Sequence, residues 1–105
     1  MLAIKELNEI KNKLIELNFN ISSKGFEYWI ELVYYYNEYK GKRYMTLESI
    51  YQEIVKTHNT TRDRVERNIR TASKQALPTI REQYKYKNRR LSTKDILELI
   101  YWEMI

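Results

Sequence analysis

The stretch TTRDRVERNIRTASKQA, Thr60 to Ala76, sets Arg62, Arg64, Arg67, Arg70 and Lys74 at helical spacing, with Asp63 and Glu66 among them. Arginine's planar fork donates two hydrogen bonds to the O6 and N7 edge of guanine or to a phosphate, and a carboxylate such as Glu66 accepts from a cytosine amino group. The same charges also suit an ordinary solvated helix, where Arg62–Glu66 and Glu66–Arg70 are i,i+4 pairs worth roughly 0.3–0.5 kcal/mol each. Pairing leaves Arg67, Lys74 and the basic run KYKNRR, Lys85 to Arg90, without partners. That surplus favours a surface that lies against a polyanion.

Other chemistries are poorly supplied. The chain has no cysteine, which excludes disulfides and thiolate metal sites, and its one histidine, His58, cannot form a histidine cluster. His58 falls in a short polar connection, where an exposed or capping role is the commoner one. No glycine-rich phosphate loop and no nucleophile with a base is present, so neither enzyme activity nor a cofactor or metal is expected. The N-terminal MLAIKELNEIKNKLIEL alternates charged and apolar residues, unlike a signal peptide or a membrane span. A soluble chain in a reducing compartment such as the cytoplasm, with no membrane partner, is the expectation.

The net charge of +5 conceals an asymmetry. Lys56 to Lys94 holds twelve basic residues against three acidic ones, whereas the remainder carries seven against eleven. A local basic block is the footprint expected of a protein that neutralises phosphates and releases their counterions.

The elements that must position these residues are helical. Two Gly and one Pro in 105 residues leave few turn signals, and a chain of this length with 43% hydrophobic residues suits one compact all-α domain over 1–105. Ile4, Leu7, Ile10, Leu14 and Leu17 line one face of a first helix reaching about Asn18. Ser22 or Ser23 caps a second, which runs to about Tyr39 and carries Phe26, Trp29, Ile30, Val33 and the run Tyr34, Tyr35, Tyr36. Those tyrosines suit core packing or a partner surface. The stretch NEYKGKRYM reads as a loop broken at Gly41, after which Thr46 caps a third helix ending near Lys56. Thr57 to Thr60 form a tight connection, and Thr60 or Thr61 caps a fourth helix, giving a helix-turn-helix over about 46–77. Val65, Ile69, Ala72 and Ala76 form its narrow apolar seam, opposite Asp63, Glu66, Arg67, Arg70, Thr71 and Lys74. Pro78 is expected to stop that helix near Leu77 and open a short fifth one to Tyr84. KYKNRR then forms a basic loop, and Ser92 with Asp95 opens a final, sixth helix carrying Ile96, Leu97, Ile100, Tyr101 and Met104.

At these residues the sequence resembles the C-terminal DNA-binding effector domain of the stage-zero sporulation response regulator family. TTRDRVERNIR, Thr60 to Arg70, is similar to the family's recognition-helix pattern of two threonines, two variable positions and R-V-E-R-x-I-R. KGFEYWIELV and LESIYQEIVKTHNTT resemble its preceding segments, and STKDILELIYWEMI its closing helix more loosely. The resemblance implies a bundle of about six helices that binds double-stranded DNA and pairs head to tail on adjacent sites. It places Arg64, Glu66, Arg67 and Arg70 on positions that face DNA. Thr71 stands where the family usually carries histidine, Asn68 where it carries alanine and Asp63 where it carries serine, departures that bear on the target sequence. Ser73 to Arg90 matches poorly. The receiver domain that precedes this module in the family has no counterpart here, so a free-standing relative or an excised piece is expected.

The expected function is sequence-specific recognition of duplex DNA by a transcriptional regulator, with helix 61–75 in the major groove. Base contacts fall to Arg64, Glu66, Arg67, Arg70 and Thr71, and phosphate contacts to Thr61, Arg62, Lys74, Lys85, Lys87, Arg89 and Arg90. The alternative is a protein-interaction or inhibitor module on the same fold. RNA fits less well, because its major groove is too deep and narrow for a reading helix.

Overall fold

The computed structural model describes residues 4–40, 46–85 and 90–104. Their five helices are α1 (Ile4–Glu16), α2 (Lys24–Tyr39), α3 (Leu47–His58), α4 (Arg62–Tyr84) and α5 (Thr93–Met104). No strand occurs among the described residues, so the all-α expectation holds. The loop at Gly41 lies outside them.

Local chemistry accounts for the boundaries. The Ser23 hydroxyl accepts from the Phe26 amide to start α2, and Thr46 does the same from Ser49 for α3. Ser92 and Asp95 cap α5 reciprocally: the Asp95 carboxylate accepts from the Ser92 amide at 2.9 Å and the Ser92 hydroxyl from the Asp95 amide at 3.1 Å. The first helix ends at Glu16, two residues short of the expected Asn18, which adopts a left-handed φ of 71° instead. The third extends to His58 rather than Lys56 and closes on left-handed Asn59, whose amide donates to the Val55 carbonyl.

The largest departure is at Pro78. Instead of stopping at Leu77 and restarting, α4 runs unbroken through the proline for 23 residues, which makes five helices rather than six. A proline inside a helix costs about 3 kcal/mol, through a lost hydrogen bond and a ring clash. Pro78 is itself exposed, while the apolar seam continues past it to Ile80, which is fully buried. Burying one such side chain returns about 1.5–3 kcal/mol, enough to offset most of that cost.

Helix α2 is the hub, packing against all four others. Its Trp29 is fully buried, and the indole donates to the Ile69 carbonyl of α4 at 2.9 Å. Gly25 lets the two helices approach so closely that a Cβ there would sit 2.4 Å from the Asn68 carbonyl oxygen and 2.7 Å from the Ala72 Cβ. On the far side, α5 is tied to α2 by Glu98, which engages Lys40 and Tyr36, and to α1 by Lys13–Glu103 at 3.0 Å. Tyr34, Tyr35 and Tyr36 are half-buried against the core. The packing role fits them better than an open partner surface.

Candidate nucleic-acid interface

Three residues, Asn59, Thr60 and Thr61, join α3 to α4. Thr61, rather than Thr60, is the cap: its hydroxyl accepts from the Arg64 amide at 3.3 Å. Thr61→Ala should remove about 1 kcal/mol of stability, read as a lower urea midpoint. An unchanged midpoint would mean that the cap does not hold this helix start.

Seen down α4, the seam Val65, Ile69, Ala72, Ala76 and Ile80 is buried. At about 100° per residue, Arg67, Arg70, Lys74 and Arg81 fall within about 60° of one another on the opposite side. Arg64, Arg67, Arg70, Thr71 and Lys74 are all exposed. Among the described residues, Arg64, Arg67 and Lys74 have no ion-pair partner, and Arg70 has only Glu66 at 3.6 Å.

Arg62 and Glu66 are differently placed. The Arg62 guanidinium forks onto the Glu48 carboxylate of α3, with contacts of 2.7–3.1 Å, and also donates to Glu66 at 2.8 Å. The Tyr51 ring lies 5.5 Å away. Hydrogen bonds from Arg62 and Gln52 hold the Glu48 carboxyl below its usual range. Arg62 therefore fastens the start of α4 to the start of α3, and Glu66 is bracketed by Arg62 and Arg70. Both side chains are engaged within the molecule, whereas Arg64, Arg67 and Lys74 are presented outward.

The remaining expected residues divide by position. Lys85 ends α4 in a left-handed conformation and is exposed, as is Arg90. Lys87 and Arg89 lie outside the described residues. Sequence reasoning overlooked Arg81, because the expected break at Pro78 detached it from the helix whose face it shares. The periodic place of Ile80 in the seam was the available signal. His58 is not in the turn: it is the last residue of α3, half-buried, paired with Glu31 of α2 and set edge-on to the Tyr28 ring at 5.0 Å.

Among the described residues no group of acidic or histidine side chains is arranged to hold a metal, and no helix is long and apolar enough to cross a membrane. A three-residue turn thus joins α3 to a helix docked by a narrow seam, with arginines on its outer side. Residues 10–95 match the family described as Sporulation initiation factor Spo0A C terminal, and the chain belongs to that family. It is a family of DNA-binding domains of sporulation regulators and not of enzymes. No curated protein and no solved structure matches the chain.

Proposed function

We propose that the chain is a sequence-specific transcriptional regulator that lays the exposed face of α4, within residues 61–75, in the major groove of duplex DNA. The observation that carries this reading is the exposed row Arg64, Arg67 and Lys74, without ion-pair partners among the described residues, on the outer face of the helix that follows the turn. A helix of this kind fits a groove about 12 Å wide, with its N-terminal half nearest the bases. Arg64, Arg67 and Arg70 supply bidentate donors for guanine edges, and Thr71 a hydroxyl beside them. In this reading Thr61, Lys74, Lys85 and Arg90 take phosphates. The head-to-tail pairing implied by the sequence resemblance belongs to the same proposal, and the stoichiometry of the complex on one and two sites tests it.

Selection of bound duplexes from a random pool tests recognition. A recovered motif bound about 10³-fold or more tighter than scrambled DNA at matched salt is expected. Weak binding of all duplexes alike, lost at physiological salt, would refute sequence recognition.

The engaged pair yields a further expectation. Glu48→Gln weakens the hold on Arg62 and frees a cation at the edge of the face. Binding to scrambled DNA should tighten by about threefold at low salt and its salt slope steepen by about one, with a smaller preference for the selected site. An unchanged slope would mean that Arg62 stays on α3 regardless.

A further inference from the structure

Beyond the recognition segment, the second half of α4 and the chain entering α5 enclose a cleft of about 390 Å³. Arg70, Lys74, Leu77 and Arg81 line it from α4, and Arg90 and Leu91 from the chain entering α5. Lys74, Arg81 and Arg90 have no carboxylate partner among the described residues. Asp95 caps α5 and lines another surface with Glu98 and Trp102. Ser92 and Thr93 bring the start of α5, with its positive dipole end, to the same wall.

Geometry limits what this cleft can take. Arg81 is fourteen residues beyond Arg67, about 21 Å along the helix axis at 1.5 Å per residue. A recognition helix meets base edges with its N-terminal residues, so one that seats Arg67 there carries Arg81 and Arg90, at its far end, toward the edge of the groove. What lies there is the sugar–phosphate backbone. The lining cations suit its phosphates, and the two lining leucines suit the apolar face of a deoxyribose.

We propose that the α4–α5 cleft is a backbone subsite that grips one DNA strand beside the groove read by Arg64 and Arg67. It rests on the DNA-binding reading above and extends it. The unbroken passage of α4 through Pro78 creates the subsite, because that continuity carries Arg81 onto the same face as Arg70 and Lys74. Its contribution is independent of sequence and sensitive to salt.

The test pairs the wild-type chain with the double variant Arg81→Gln, Arg90→Gln on selected and scrambled duplexes, and on duplexes carrying one neutral methylphosphonate at successive flanking positions. The variant should bind both duplexes roughly tenfold more weakly, with a salt slope shallower by about two. One flanking methylphosphonate should weaken the wild type by about threefold and the variant not at all. Wild-type binding with an unchanged slope in the variant would overturn the subsite and leave groove recognition standing. Absence of wild-type binding to any duplex would instead remove the DNA reading itself.

Discussion

Arg67→Ala is expected to weaken binding to the selected duplex by about 1–3 kcal/mol and to relax the preference at one base pair, while the fold is retained. Arg67 is exposed, lies at the middle of the outer face of α4 and has no ion-pair partner among the described residues. Its removal breaks no ion pair or side-chain hydrogen bond among the described residues, so a loss in binding reports chiefly on the DNA side. The discriminating quantity is the ratio of selected to scrambled affinity. It should fall by about 10-fold or more for Arg67→Ala and stay constant for Lys74→Ala, whose phosphate contact weakens every duplex alike. Equal losses on both duplexes for both variants would show that α4 is only a basic surface.

Gly25→Ala should lower stability by about 1–3 kcal/mol, even though glycine-to-alanine exchange inside a helix is intrinsically favourable by about 1 kcal/mol. The added Cβ meets the backbone oxygen of Asn68 at 2.4 Å and the Cβ of Ala72 at 2.7 Å. A carbonyl cannot swing aside as a flexible side chain can, so α2 must lift away from α4. The buried Trp29 bond to the Ile69 carbonyl spans that same joint. Thermal denaturation should show a melting temperature lower by roughly 5–15 °C in a domain of this size. A raised melting temperature, as helix propensity alone dictates, would mean that the helices are not in this contact. Because α4 carries the basic face, the refolded variant should also bind the selected site more weakly than its folded fraction explains.

Much of this architecture is readable along the chain because its signals are local. Ser23, Thr46 and the Ser92–Asp95 pair announce helix starts through hydrogen bonds to amides three residues away. The seam from Val65 to Ala76 announces which side of α4 is buried. Signals that depend on distant partners are not readable in this way. The i,i+4 spacing of Arg62 and Glu66 announces their pairing, but nothing in the spacing of Glu48 and Arg62 shows that they meet, fourteen residues apart across a turn. Gly25 reveals its purpose only once α2 is known to cross α4. Pro78 misled because its local penalty is large and the compensation, Ile80 in the core, belongs to tertiary packing.

The site was legible to the same degree. The type and position of Arg64, Arg67, Arg70, Thr71 and Lys74 follow from helical periodicity, and all five are exposed. Arg81 joins their face only through the continuity of α4.

Dimethyl sulfate reactivity of guanine N7 in the selected duplex measures the placement of α4 most directly, because N7 lines the major groove. With the chain bound, one or more guanines of the motif should be protected, and Arg67→Ala or Arg64→Ala should each restore reactivity at a particular guanine. Saturated binding that leaves every guanine N7 reactive would contradict the placement of α4 in the major groove.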